Sequence, residues 1–136
     1  MTECLFCKIG AKKLKSQIIY ETDKIIAFLD IKPVNQGHVL VMPRAHYANF
    51  TETPDDVLAE TMSVAKKVAA AAVRATDAEG FNIGINNGAA AGQVIMHAHV
   101  HVIPRFKNDG LVHWKNKNAT DDELNSIQQK ILVQLL

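Results

Sequence analysis

Gly92–Arg105, GQVIMHAHVHVIPR, is the stretch around which the chain is organised. Within it His97, His99 and His101 alternate with Ala98, Val100 and Val102. Side chains on a β-strand point to opposite faces with a period of two. A strand here therefore presents the three imidazoles on one face and three small apolar side chains on the other. The apolar face suits a core and the imidazole face suits a site. Three of the chain's six histidines fall in this short run, a clustering that composition alone does not produce. One chemistry that fits is a zinc site, because His-x-His on a strand can supply two ligands to one ion. A third ligand is harder to add. At a rise of ~3.3 Å per residue, His97 and His101 lie ~13 Å apart along a strand, so one metal takes all three only if the strand bends sharply.

The flanks read outward from this strand. Gly88–Gly92 is a loop, and its two glycines allow backbone N–H groups to turn toward an anion. Phe81–Asn87 before it alternates apolar with polar or small residues and is a strand. Asn108-Asp109-Gly110 after it marks a turn. Thr120-Asp121-Asp122-Glu123 is a capping box, and Leu124, Ile127, Ile131 and Leu135 continue it as an apolar stripe, so a helix is expected over about 120–136. His113 carries no role from sequence, and Trp114, the single tryptophan, suits either a pocket mouth or the core.

In the first half, Ile18–Glu21 and Lys24–Asp30 read as strands joined by Thr22-Asp23, and Gly37–Pro43 as a third that ends at its proline. Thr53-Pro54-Asp55-Asp56 reads as a helix start, with Thr53 as N-cap and Pro54 at the first helical position. Leu58, Met62, Ala65, Ala69 and Ala72 give that helix an apolar stripe as far as about Thr76. Lys66, Lys67 and Arg74 form its solvated face. Cys4-Leu5-Phe6-Cys7 is a C-x-x-C whose thiols are free, a redox pair, or half of a zinc site that needs two more ligands. No strand precedes it, as a thioredoxin-like motif would require. The element order implies an α+β fold with a mainly antiparallel sheet and helices on it, in one domain over 1–136.

Composition excludes several classes. A chain of 136 residues with 48% hydrophobic and 21% charged residues has an ordinary globular balance. A formal net charge of +1 without a basic stripe argues against nucleic-acid polymers and membrane surfaces. No apolar run has the length of a membrane span, and MTECLFCKIGAKK lacks the apolar core of a signal peptide, so the expected compartment is the cytoplasm.

The pattern His97-Ala98-His99-Val100-His101-Val102-Ile103 resembles the signature of the histidine-triad (HIT) family of nucleotide hydrolases and transferases. The block IIYETDKIIAFLDIKPVNQGHVLVMPRAH is similar to that family's first half, and the resemblance covers roughly residues 3–106. It implies a five-stranded sheet carrying one long helix, and a homodimer joined through the long helix and sheet edges. It implies that His99 is the nucleophile, and that His101 and His38 contact the phosphate and help protonate the leaving group. Phe28, Asp30 and Ile31 would line the pocket of a purine nucleoside, with Asp30 accepting from the ribose hydroxyls. Asn86 and Gln93 would hydrogen-bond ribose and phosphate, beside the backbone of Gly92. Bacterial relatives with an N-terminal C-x-x-C imply structural zinc at Cys4, Cys7, His46 and His97. Val94 departs from the pattern, because many relatives carry Ser or Thr there to contact the leaving group.

The chemistry agrees independently. Imidazole is neutral near pH 7, nucleophilic, and leaves readily from phosphorus. Developing phosphoryl charge needs pre-placed donors, for which His97, His101, Gln93 and the loop amides are candidates. The expected activity is therefore hydrolysis or transfer at the α-phosphate of a nucleoside phosphoramidate or dinucleoside polyphosphate, with no metal in the chemical step. Two other classes compete: a nucleotide-binding sensor without turnover, and a zinc hydrolase ligated by His97 and His99.

Overall fold

Runs of β-branched and aliphatic residues bounded by turn residues build the sheet. The structure, a computed structural model, describes residues 3–136. Strands β1 (Ile18–Glu21), β2 (Ile25–Leu29), β3 (Val39–Pro43), β4 (Gly80–Gly84) and β5 (Val100–Arg105) form one sheet in the order β1-β2-β3-β5-β4. Every neighbouring pair is antiparallel. The fold class read from the sequence holds. β2 and β3 lie inside the sheet and are buried along nearly their whole length, so both of their faces must be covered.

Two layers cover them. Helix α2 (Asp55–Thr76) packs Val57, Val64, Ala65, Val68 and Ala69 on a face made of Ile25, Ala27, Val39, Val41, Val100 and Val102. Each fully buried valine or isoleucine there contributes about 1.5–3 kcal/mol. The opposite face, with Ile26, Phe28, Leu40 and Met42, is closed at one end by Phe6 and Ile9 of the short helix α1 (Leu5–Gly10). The histidines lie on this second side.

Three expectations shift. Pro54, not Thr53, is the N-cap of α2, because the Thr53 hydroxyl donates backward to the Asn49 carbonyl at 2.8 Å. The buried stripe is Val57, Thr61, Val64, Ala65, Val68 and Ala69, rotated from the one read through Leu58 and Met62, and Met62 is exposed. β4 ends at Gly84, short of the expected Asn87. Gly37 lets the end of α2 approach the loop before β3: its φ is +84°, and a Cβ there would lie 2.9 Å from Thr76 Cγ2.

Helix α3 (Asp121–Gln134) forms with the expected capping box between Thr120 and Glu123. Every residue from Val112 to Leu136 is exposed, including the whole apolar stripe of α3. Among the described residues, no helix is long and apolar enough to cross a membrane.

Candidate active site

The histidine run is not one continuous strand. β5 begins at Val100, and the chain bends over Ile95–His97, so only His101 of the three lies on the strand. The alternation survives as three different environments. His97 is fully buried and His99 nearly so, while His101 is half-buried.

His97 faces α1. Its Nε2–H donates to the Pro43 carbonyl at 2.7 Å, which leaves Nδ1 as a lone pair. That nitrogen lies 3.5 Å from Cys4 Sγ and 3.6 Å from Cys7 Sγ, and His46 Nδ1 lies 3.3 Å from Cys7 Sγ. The four ligand atoms of Cys4, Cys7, His46 and His97 all fall within 4.8 Å of one another. Tetrahedral zinc with ordinary Zn–S and Zn–N bonds requires S···N edges of ~3.6 Å. The donor set and spacing fit zinc. The resemblance-derived ligands therefore do come together, whereas a site ligated by His97 and His99 does not. His97 is consequently no donor to a substrate phosphate, because both ring nitrogens are engaged away from the cleft.

His99 donates from Nδ1 to the His97 carbonyl at 2.6 Å, so its Nε2 carries the free lone pair. Its ring stands edge-on to Phe6, with centroids 5.0 Å apart, and 4.9 Å from the ring of His101. Burial pushes the His99 pKa down and so favours the neutral imidazole, against the weaker opposing pull of the His97 carbonyl and the Asp30 charge.

His101 and His38 form a relay. The Val34 N–H donates to His38 Nδ1 at 3.0 Å, so the His38 proton sits on Nε2. That proton points at His101 Nδ1, 2.9 Å away, and the His101 proton is left on Nε2. Burial lowers the pKa of both rings. For His101, His99 and His38 add to burial, and its pKa is pushed down to about 4. Asp30 also approaches this pair, with Oδ2 3.7 Å from His38 Nε2. The three could ligate a cation by distance alone. The proton on His38 Nε2 leaves no lone pair for one, so the cluster is a hydrogen-bond relay. His38 is buried, lies beside the cleft, and has its Nε2 2.9 Å from His101 Nδ1.

Gln93 also has a different task from the expected one. Its amide donates to the carbonyls of Ala48 and Ile95 at 2.7 and 3.1 Å, and its Oε1 accepts from Gly88 N–H at 2.9 Å. It braces the loop and offers a phosphate no free donor. The N–H groups of Ala91, Gly92 and Gln93 are likewise satisfied inside the loop. Gly92, at φ +93°, packs under the Asn86 amide; its Cβ position would lie 3.6 Å from Asn86 Nδ2. Phe28 is buried against Phe6, Asp30 is half-buried and accepts from the Lys32 N–H, and Ile31 is 88% exposed. Val94 is exposed beside the loop.

A cleft of about 500 Å³ opens beside His38 and His101, walled by Asn86, Arg105, His113 and Trp114 among others. Trp114 is 94% exposed, so it belongs to the cleft wall and not the core. The wall is fixed at its root by a knot the sequence reading missed. Asp109 accepts from Arg105 Nε, Asn35 Nδ2 and the N–H groups of Phe106 and Leu111. Arg105 above all, then these N–H donors, holds the Asp109 carboxyl well below the usual range. The i,i+4 spacing of Arg105 and Asp109 was the only sequence signal.

Residues 11–108 match the model of the HIT domain. A protein of Arabidopsis thaliana named as an adenylylsulfatase is 43% identical over 116 residues, spanning 85% of this chain and 58% of that protein. One of Saccharomyces cerevisiae named as an adenosine 5'-monophosphoramidase is 36% identical over 134 residues, spanning 97% of this chain and 82% of that protein. A Streptococcus mutans crystal structure superposes with a TM-score of 0.95 at 37% identity, covering 100% of this chain and 87% of the other. A zinc-bound histidine triad family protein of Mycobacterium smegmatis gives 0.77 at 35% identity, covering 98% and 96%.

Proposed function

The chain belongs to the HIT domain family, and from that premise we propose that it is a nucleotide hydrolase or transferase acting at the α-phosphate, with His99 as its nucleophile. The observation that carries the reading is the Nδ1–H···O=C bond of His99, which leaves Nε2 unprotonated on a ring that neighbours the ring of His101. His99 Nε2 attacks phosphorus, the bond to the leaving group breaks, and a nucleotidyl-histidine forms. The His101 Nε2–H donates a hydrogen bond to the leaving group, which takes its proton from solvent as the bond breaks so that His101 stays a neutral imidazole, and His38 holds His101 in the tautomer that makes this possible. Water then attacks phosphorus, the P–N bond breaks with its electron pair returning to His99 Nε2, the water's proton passes to solvent, and the nucleoside monophosphate departs. Both named relatives support a purine nucleotide with a small group on the α-phosphate, and the phosphoramidase favours a nucleoside phosphoramidate. Dinucleoside polyphosphates present the same phosphorus. Phe28, Asp30, Ile31 and Asn86 would hold the nucleoside, the Asp30 carboxylate accepting from the ribose. Val94 offers methyl groups where a hydroxyl would contact the leaving group, so discrimination among leaving groups falls to the cleft wall.

Cys4, Cys7, His46 and His97 would hold zinc with four protein ligands and no open position, so the ion supplies stability and not chemistry. Paired free thiols suit a reducing compartment, the cytoplasm. The unit of function is proposed to be a homodimer.

The test is turnover of an adenosine phosphoramidate with chiral phosphorus. Two displacements give retention, and His99→Ala should lower turnover by at least ~10³-fold while nucleotide binding persists. Inversion would exclude the covalent histidine. Binding without turnover would make the chain a sensor.

A further inference from the structure

We propose that Phe6, held between Cys4 and Cys7 at the start of α1, is a positioning residue that fixes the ring of His99 in the orientation its attack on phosphorus requires. The inference rests on His99 being the nucleophile. A single hydrogen bond, from Nδ1 to the His97 carbonyl, orients that ring. One such bond holds one edge and leaves the imidazole free to rock about it. Two rings bound that motion. One is His101, 4.9 Å away between centroids at 62°. The second is Phe6, 5.0 Å away at 88°. His101 engages the substrate and changes its partners during turnover. Phe6 has no polar atom and is 5% exposed, so it is the wall that stays in place.

Phe6 is itself tightly located. It stands edge-to-face on Phe28, with centroids 5.6 Å apart at 81°, and packs among Ile26, Leu40 and Met42. Its helix has six residues, too few to persist unaided. At one end, Cys4 and Cys7 join His46 and His97. At the other, Arg44 Nη1 donates to the Gly10 carbonyl at 2.7 Å. The cysteine–histidine cluster therefore carries a buried aromatic ring directly onto the nucleophile. Leu5, its neighbour on the same helix, is 44% exposed and supplies an internal control.

The experiment uses the full-length, zinc-loaded protein with Phe6→Leu, which keeps an apolar side chain but removes the flat ring. Phe6→Met serves as a second variant should the first fold poorly, because methionine adapts to irregular gaps. Two quantities are read: kcat and KM on an adenosine phosphoramidate, and the downfield Nδ1–H proton resonance of His99 in histidine-labelled protein. We expect kcat to fall on the order of tenfold to a hundredfold, as small misplacements of a reacting group do, with KM within about twofold. The His99 resonance should broaden or vanish, while Leu5→Ala leaves both readouts at wild-type values. A folded variant with unchanged kcat overturns the proposal. So does a lowered kcat with an unchanged His99 resonance, which marks a structural role only. Loss of zinc from both variants also overturns it and assigns Phe6 to the metal site. Should the wild type turn over no nucleotide, the reading of the activity fails, and the resonance alone still decides whether Phe6 holds His99.

Discussion

His97, His99 and His101 are one residue type in two tautomers, with the proton on Nε2 in His97 and His101 and on Nδ1 in His99, each set by a backbone or side-chain partner. This arrangement requires neutral rings, and its acid limit follows from His101. Its pKa in the fold is pushed down to about 4, with burial as the main cause. In the unfolded chain it returns to about 6.5. The unfolded state therefore binds more protons between those values, so the contribution is fully present above pH ~6.5 and is lost as pH falls through about 4. The loss from this one group is at most ~3 kcal/mol. Urea midpoints measured from pH 7.5 to 4 should fall steadily below pH 6.5, and His101→Gln should flatten that slope. An equal slope in the variant would assign the acid sensitivity to other groups. The histidine spacing made the triad legible from sequence, because alternation is a one-dimensional signal. Gln93 was not legible as a brace, because the carbonyls of Ala48 and Ile95 reach it only through the folded loop.

Secondary elements were read well where their signals are local. The capping box of α3, the end of α2 near Thr76 and the paired β1 and β2 all stand where the sequence put them. The bend over Ile95–His97 was not readable, since nothing in VIMHAH breaks a strand; it follows from His97 turning into the cysteine cluster. The stripe of α2 was read one residue out because Leu58 and Met62 compete with Val57 and Thr61 for the sheet, and branched and small side chains seat there. Helix α1 tests what the cluster does. With six residues, Cys7 among them and Cys4 as its N-cap, it would depend on a zinc bound there more than on its own hydrogen bonds. Removing zinc with a chelator should lower Tm by several degrees or more, and Cys4→Ser should reproduce the shift. The chemical step should decline only as α1 loosens. Immediate loss of turnover with Tm unchanged would place the metal in the reaction instead.

At the level of the whole molecule, the last 25 residues, 112–136, are all exposed, although they include Val112, Trp114 and the apolar stripe of α3. A 14-residue helix with that stripe in water is marginal by itself. The body also leaves apolar side chains uncovered on the edge strand β4, at Phe81 and Ile83, and on α2, at Met62. An edge strand that keeps hydrophobic residues and unpaired backbone groups invites pairing. In the proposed homodimer a second copy would cover such surfaces under two-fold symmetry, because each copy brings both the edge and the arm. Light scattering should therefore report twice the chain mass of 15.0 kDa over a wide concentration range. A chain truncated after Asn118 should dissociate at higher concentration than the full chain, because the helix no longer contributes contact area. The core beneath α2 should remain folded, since no residue beyond 118 is buried in it. A constant mass near 15.0 kDa for the full chain would remove the dimer from the proposed function and leave α3 as a helix awaiting another partner.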